Sequence, residues 1–187
     1  ASLRLPPGAV LVAQVSRLAE LKGHEYLLAA AERVADERVH YCLVGDGRRR
    51  QWIESEIGRR GLAKRFRLTG LLPPAEMPAV LHATDVLVHC SLREGLARAL
   101  PQAMLAARPV VSFDVDGARE VVDAETGILL QPRDAAGLAL AIETLAGAPE
   151  LRDRLGCAGR QRCRTMFDHR RMVERIENVY ERVLTKL

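Results

Sequence analysis

A carboxylate and a glycine follow an apolar run near the middle of the chain. Glu94 and Gly95 come shortly after residues 85–90, which predict a buried strand, and Gln102 lies eight positions beyond Glu94. We expect a helix over about 95–107, with Gln102 on its inner face. The unpaired N–H groups of a helix N-terminus favour a bound phosphate, and a neighbouring carboxylate can accept hydrogen bonds from sugar hydroxyls. The junction therefore predicts a nucleotide-sugar site.

Pro101 conflicts with a regular helix over that stretch, because an interior proline removes a backbone hydrogen bond and clashes with the preceding turn. Either the helix begins later, near Arg98, or it is kinked where a ligand could meet free N–H groups. Two alternatives also remain for the polar residues. Gln102 could be a buried amide that the backbone satisfies, and Glu94 could cap the helix or pair with a neighbouring arginine.

Two cations follow the first predicted strand, which covers residues 10–15. Arg17 and Lys22 could bind a diphosphate, since a guanidinium is a planar fork of donors and an ammonium group is a point charge. Two cations in a loop are also typical of a solvated surface. On their own, they indicate an anion site only weakly.

The Gly-Asp-Gly sequence at 45–47 is similar to the start of a dinucleotide fingerprint. The third glycine is missing, because Arg50 occupies its position. We therefore exclude a nicotinamide site and predict a tight turn at the edge where ligands bind.

Short apolar runs alternate with stretches of helical period along the chain. We predict strands at 10–15, 39–44, 66–69, 86–90, 110–113 and 127–130, and helices at 24–35, 49–60, 73–82, 95–107, 117–122, 134–146, 149–166 and 168–187. Such alternation indicates a parallel sheet covered on both faces, a doubly wound, Rossmann-like α/β domain of about six strands. Ligands of these sheets bind outside the carboxyl ends of the strands, so Arg17, Lys22 and Glu94 are expected at one edge.

Composition limits the classes of function. At 187 residues, 48% hydrophobic and 28% charged, the chain fits one soluble globular domain. Its net charge of +4 suits an anionic small ligand but is too small to indicate nucleic acid, and 4% aromatic residues disfavour a base-stacking surface. Basic clusters at 48–50, 59–60 and 170–171 are predicted to be solvated helix faces, with contact to phosphate or an acidic membrane as the alternative.

The cysteines indicate neither disulfides nor a metal site. Cys42, Cys90, Cys157 and Cys163 form no C-x-x-C pair, and no histidine stands at metal-ligand spacing to them. We expect free thiols, no metal and a reducing, cytoplasmic location. His89, in the fourth predicted strand, could face either the core or the site.

A series of short motifs extends from about Val10 to Leu187. In order they are Val-Ser-Arg-Leu at 15–18, Lys-Gly at 22–23, Val-Gly-Asp-Gly at 44–47, Leu-Thr-Gly at 68–70, Ala-Thr-Asp-Val at 83–86, Ser-x-x-Glu-Gly-Leu at 91–96, Gln-Ala-Met at 102–104, Arg-Pro-Val-Val at 108–111, Gly-Ala-Arg-Glu at 117–120, Gly-Ile-Leu-Leu-Gln-Pro at 127–132 and Tyr180. In order and spacing they resemble the nucleotide-binding, C-terminal half of GT-B-fold retaining glycosyltransferases, in particular family 4.

The resemblance implies roles for specific residues. Glu94 would be the catalytic residue that holds hydroxyls of the donor sugar, and Arg17 and Lys22 would bind the donor diphosphate. Further donors to the diphosphate would be the backbone N–H groups of Leu96, Ala97 and Arg98.

Two further positions would contact the nucleoside. The family's ribose-binding glutamate falls at Gln102, and the base would rest near Leu71. A glutamine there loses a charge-assisted hydrogen bond to the ribose worth about 1 kcal/mol, so donor affinity or choice could change. Ala97 and Pro101 also differ from the commoner residues of the family, which affects the backbone near the phosphate.

The implied function is transfer of a sugar from a UDP-, GDP- or ADP-sugar to an acceptor with retention, without a metal or cofactor. Residues 1–187 would form the donor domain, and the acceptor-binding N-terminal domain would be a separate part that this chain does not contain. The chain alone is then expected to be inactive, and the full-length enzyme could contact a membrane peripherally.

Other classes of function remain open. One is a non-catalytic module that binds a nucleotide or nucleotide sugar, which Gln102 and the missing half favour. A GT-B-fold epimerase would require a second acid, and a phosphorylase a cofactor lysine, for which the sequence offers no site.

Overall fold

The computed structural model describes residues 5–185. Within them, a single sheet is formed by β1 (Val10–Val15), β2 (Val39–Val44), β3 (Phe66–Gly70), β4 (Val86–His89), β5 (Val110–Phe113) and β6 (Gly127–Leu130). The order across the sheet is β3-β2-β1-β4-β5-β6, and every adjacent pair is parallel. The predicted doubly wound sheet is confirmed, and each predicted strand end lies within one residue of the observed one.

Helices cover both faces of this sheet. In residues 5–185 they are α1 (His24–Ala31), α2 (Arg50–Arg59), α3 (Met77–Ala83), α4 (Ala99–Leu105), α5 (Ala118–Val121), α6 (Ala135–Gly147), α7 (Pro149–Met166) and α8 (His169–Leu184). Leu27 of α1 and Leu138 of α6 belong to the apolar cluster on one face. Leu100 of α4 and Cys163 of α7 belong to the cluster on the other. Successive side chains of β1 alternate between the two clusters, as the period of a strand requires.

The predicted start of α4 is wrong: the helix begins at Ala99, with Arg98 as its N-cap, and not near Gly95. Pro101 therefore lies in the first turn, where backbone N–H groups have no partner within the helix. Its missing N–H removes no hydrogen bond from α4. Of the two alternatives that Pro101 left open, the late start is confirmed.

The predicted end of α1 is also wrong, because the helix stops at Ala31 instead of continuing to position 35. The guanidinium of Arg65 donates to the carbonyl oxygens of Val34 at 3.0 Å and Asp36 at 3.1 Å. The backbone N–H of Ala35 donates to Oε1 of Glu143 at 2.8 Å. These bonds satisfy the backbone after Ala31 without a further helical turn.

The last helix, α8, ends at Leu184, and positions 186 and 187 of its predicted extent lie outside the described residues. Exposed apolar side chains follow one another along it at helical spacing: Met172, Val173, Ile176, Val179, Tyr180, Val183 and Leu184. Arginines and glutamates alternate with them in the sequence. Of the helices in the described part of the chain, none has the length and apolar character needed to cross a membrane.

Candidate functional site

The strand order reverses between β1 and β4. The chain leaves β1 towards β2 on one side and leaves β4 towards β5 on the other, so the loops after β1 and β4 diverge and open a crevice. A cavity of about 1020 Å³ lies there, which we call the switch cavity. Its lining comes from residues 17–22, 46–48 and 93–95, in the loops after β1, β2 and β4, and from residues 116, 117 and 120, which follow β5. Arg17, Lys22 and Glu94 therefore share one cavity at the carboxyl edge of the sheet.

An ion pair joins two of these predicted site residues. The ammonium group of Lys22 donates to Oε2 of Glu94, and the two side chains are 15% and 28% exposed. Both can therefore be reached from the cavity. Arg17 is exposed and has no ion pair with any residue of the range 5–185, which leaves its guanidinium available to an anion.

Close packing against Cys90, the residue after β4, holds the backbone next to Lys22. The residue ends a short turn, Glu20–Lys22, and Gly23 follows it in the left-handed conformation at φ +65°. A Cβ on Gly23 would overlap the carbonyl oxygen of Cys90, so glycine is needed for the close approach. The buried side chain of Gln14 donates to the carbonyl oxygen of Lys22 at 2.7 Å. The sequence thus builds a rigid support for the ammonium group.

His89 links the core to the site, which combines the two alternatives that the sequence left open. It is 4% exposed, and its Nδ1 lies 3.2 Å from Oγ of Ser112. Its Nε2 lies 3.9 Å from Oε2 of Glu94. Burial lowers the pKa of His89 to about 4, with Glu94 opposing and Lys22 adding to the shift. The imidazole is therefore neutral near pH 7 and provides no second positive charge for Glu94.

Several other charged groups in and around the switch cavity are already paired. Arg48 forms an ion pair with Glu20, and Arg50 donates to Oδ2 of Asp46 at 3.2 Å. Arg59 and Arg60 both pair with Glu56 on the same helix, α2. The prediction of solvated helix faces holds only in part, since Arg48 and Arg59 are largely exposed, whereas the side chains of Arg49 and Arg60 are 17% and 15% exposed.

The remaining predicted site residues lie elsewhere. Leu96, Arg98 and Gln102 line a second cavity, of about 710 Å³, between α4 and α8. Gln102 is exposed, so both its predicted place on an inner helix face and the alternative of a buried amide are wrong. Ala97 packs against the apolar cluster beneath α4, and Leu71 is 78% exposed. The two cavities adjoin along the chain, since Gly95 lines the first and Leu96 the second.

The sequence placed Gly117 and Glu120 in one of the family motifs but assigned no site role to the residues that follow β5. Asp116, Gly117 and Glu120 line the switch cavity, and Oδ2 of Asp116 accepts a hydrogen bond from the backbone N–H of Glu94 at 2.6 Å. The available signal was the position of an Asp-Gly pair just after a predicted strand. In the described part of the chain, no three histidines, cysteines or acidic residues are grouped closely enough to hold a metal ion.

Comparisons with known proteins agree with this geometry. The family model described as "Glycosyl transferases group 1" matches residues 9–147. The 2-deoxystreptamine N-acetyl-D-glucosaminyltransferase of Streptomyces fradiae is 38% identical over 136 residues, which are 71% of this chain and 32% of that protein. The sucrose-phosphate synthase of Thermosynechococcus elongatus has a TM-score of 0.89 at 27% identity, over 99% of this chain and 48% of that one. HepE of Anabaena, solved with UDP-glucose, has a TM-score of 0.83 at 27% identity, over 96% of this chain and 49% of that one.

The chain thus spans about a third of the Streptomyces relative and about half of each solved structure. The expectation of a Rossmann-like domain of the GT-B type is confirmed by these neighbours. With the family model matching most of its length, the chain belongs to the group 1 glycosyltransferase family.

Proposed function

We propose that this protein binds a nucleoside-diphosphate sugar and, in the full-length enzyme, transfers the sugar to an acceptor with retention and without a metal ion. The observation that carries the proposal is the convergence of Arg17, Lys22 and Glu94 on the switch cavity. Two cations and a carboxylate there match the two halves of such a donor, an anionic diphosphate and a neutral polyol.

Arg17 and Lys22 are proposed to bind the diphosphate. As the glycosidic bond breaks, negative charge accumulates on the leaving phosphate, and fixed cations stabilise that charge where it develops. The exposed guanidinium of Arg17 can provide two parallel donors. The N–H groups of Leu96, Ala97 and Arg98, which precede α4 instead of forming its first turn, are proposed to complete the seat.

Glu94 is proposed to orient the donor sugar for attack on the face that the leaving group occupies. A diphosphate that binds Lys22 displaces its ion pair with Glu94 and frees the carboxylate for sugar hydroxyls. Holding the sugar in one orientation lowers the barrier by removing unproductive arrangements before reaction. His89, which lies beside Glu94, is neutral near pH 7 and adds no positive charge that would compete with the sugar for the carboxylate.

The nucleoside is proposed to lie beyond Gly95, towards the cavity that Leu96, Arg98 and Gln102 line. Gln102 would then contact the ribose, and the base would extend towards Leu71. A UDP-sugar is the first donor to examine, since HepE was solved with UDP-glucose. GDP- and ADP-sugars are the other candidates.

The acceptor site is proposed to belong to a further domain, the N-terminal domain, because the chain spans about half of each solved relative. The chain alone would then bind donor without transferring sugar. Four free cysteines fit a reducing cytoplasm, where we place the protein. Peripheral membrane contact of the full-length enzyme remains part of the proposal.

The test is a transfer assay with the full-length gene product. UDP-, GDP- and ADP-sugars are supplied in the presence of a chelator, and the anomeric configuration of the product is read by NMR. We expect turnover with one donor class and an anomeric configuration equal to that of the donor. Inversion or a strict need for a divalent metal would contradict the mechanism. Tight donor binding without any transfer or hydrolysis would favour the non-catalytic binding module.

A further inference from the structure

Asp116 has a backbone conformation that side chains rarely adopt. Its φ is +46°, in the left-handed region, which within residues 5–185 it shares with two other non-glycine residues, Ala107 and Arg133. Aspartate is tolerated there better than most residues, but glycine is favoured. Asp116 also lines the switch cavity. Strained residues at the edge of a binding cavity are commonly retained for what their side chains do.

The Asp116 side chain reaches the loop that carries Glu94. Its Oδ2 accepts a hydrogen bond from the backbone N–H of Glu94 at 2.6 Å. The next residue, Gly117, lies so close to that loop that a Cβ on it would stand 2.7 Å from the carbonyl oxygen of Gly95. The loops after β4 and β5 are therefore in direct contact, and Asp116 provides a polar bond between them.

The loop that Asp116 holds has little structure of its own. Residues 90–98 form neither helix nor strand. One further tie to the body of the domain is the bond from the Leu92 N–H to the carbonyl oxygen of Leu21 at 2.9 Å. The conformation of such a segment depends strongly on each hydrogen bond that fixes it. The bond from Asp116 is a strong one, because a carboxylate is a stronger acceptor for an N–H group than a neutral oxygen.

We propose that Asp116 is a positioning residue, which fixes the Glu94 peptide and thereby aims the Glu94 carboxylate at the donor sugar. The inference rests on the proposed transfer reaction, in which Glu94 orients the sugar. Asp116 acts through the backbone of Glu94, and the diphosphate contacts of Arg17 and Lys22 do not depend on it.

Three variants separate this role from a structural one. Asp116→Gly removes the acceptor and adopts the left-handed backbone without strain. Asp116→Asn retains an oxygen acceptor and also tolerates that backbone. Ala107→Gly is the matched control, because it relieves the same kind of backbone strain after α4, outside the switch cavity.

In the full-length protein we expect Asp116→Gly to lower kcat by about tenfold or more, since small displacements of an orienting group are costly. The Kd for the nucleoside diphosphate should rise by a smaller factor than kcat falls, because Arg17 and Lys22 keep their phosphate contacts although the N–H groups of Leu96, Ala97 and Arg98 lie in the loosened loop. Asp116→Asn should keep most of kcat, and Ala107→Gly all of it. Wild-type kcat in Asp116→Gly, or an equal loss in Asp116→Asn, would overturn the proposal.

A second readout does not depend on turnover. Amide hydrogen exchange of Glu94, followed by NMR, should accelerate by about tenfold in Asp116→Gly and not in Ala107→Gly. Unchanged exchange in Asp116→Gly would overturn the proposal even in an active enzyme. If exchange responds as expected but wild type transfers no sugar, the proposed function fails and the contact between Asp116 and Glu94 stands.

Discussion

Lys22 and Glu94 form an ion pair across the point where the strand order reverses, although 72 positions separate them in the sequence. Lys22 ends the turn after β1, and Glu94 lies in the loop after β4. Both remain accessible from the switch cavity. In the proposed reaction the donor diphosphate replaces Glu94 as the partner of Lys22, and the sugar hydroxyls replace Lys22 as the partner of Glu94.

Glu94→Ala should separate turnover from phosphate binding. In the full-length protein we expect kcat to fall by about a hundredfold or more, because the sugar loses its orienting contact. The affinity for a nucleoside diphosphate should be unchanged or higher, since Lys22 is freed from its partner. Steady-state kinetics and a binding titration measure the two quantities. Glu20→Ala is the control, because Glu20 lines the same cavity but pairs with Arg48. Near-normal turnover in Glu94→Ala would refute its role.

Gly23→Ala should destabilise the domain and weaken nucleotide binding together. The left-handed backbone and the overlap of a Cβ with the Cys90 carbonyl should cost more than about 1 kcal/mol in free energy of unfolding. Gly61→Ala is a matched control, since Gly61 has a similar φ of +70° and no atom within 4 Å of an added Cβ. Chemical denaturation and a nucleotide titration test this pair. Equal costs in the two variants would show that the contact with Cys90 does not constrain the Lys22 loop.

Gln102→Glu tests where the ribose lies. If Gln102 contacts the ribose, a carboxylate should restore the charge-assisted bond and tighten binding by about fivefold, which corresponds to about 1 kcal/mol. The gain should vanish with the 2′,3′-dideoxy form of the same nucleotide, which lacks the hydroxyl groups. A gain of equal size with both nucleotides, or none with either, would place the ribose away from Gln102.

Stability should depend on pH through two buried histidines. Burial, as the largest cause, lowers the pKa values of His24 and His89 from 6.5 to about 4. The folded protein therefore binds these protons more weakly than the unfolded chain, so their contribution is fully present above pH 6.5 and is lost as the pH falls to about 4. Each pKa shift corresponds to a contribution of about 3 kcal/mol to the free energy of unfolding.

Urea unfolding at a series of pH values measures this loss. His89→Gln should reduce the number of protons taken up on unfolding between pH 6.5 and pH 4 by about one. His40→Gln is the comparison, because His40 is on the same sheet but less deeply buried. An identical pH dependence in wild type and His89→Gln would show that His89 does not titrate on unfolding.

The strands and the edge of the sheet that carries the candidate site were predictable because they depend on local patterns. Continuous apolar runs define β1 and β4, and the residues after a parallel strand must lie at its carboxyl edge. Arg17, Lys22 and Glu94 could therefore be assigned to one edge. That all three line one cavity follows only once the order of the strands in the sheet is known, and the structure shows that order.

Helix ends and the Asp116 contact depend on partners that are distant in sequence. α1 stops at Ala31 because Arg65 and Glu143 satisfy the backbone after it, and no local pattern reveals either. The late start of α4 had a local signal in Pro101, which left it open beside a kinked helix. The signal at Asp116 was an Asp-Gly pair after a strand, which reveals neither its left-handed backbone nor its bond to a loop 22 positions away.

The most direct test of the account is a calorimetric titration of this chain with UDP, GDP and ADP in the presence of a chelator. We expect weak one-to-one binding of at least one diphosphate, none of the corresponding nucleoside, and a loss of affinity of about tenfold or more in both Arg17→Ala and Lys22→Ala. Lys64→Ala, an exposed lysine outside the switch cavity, should bind as wild type does. Two results would contradict the claim that this cavity holds a diphosphate. One is an affinity that neither Arg17→Ala nor Lys22→Ala changes, and the other is binding of a nicotinamide dinucleotide alone.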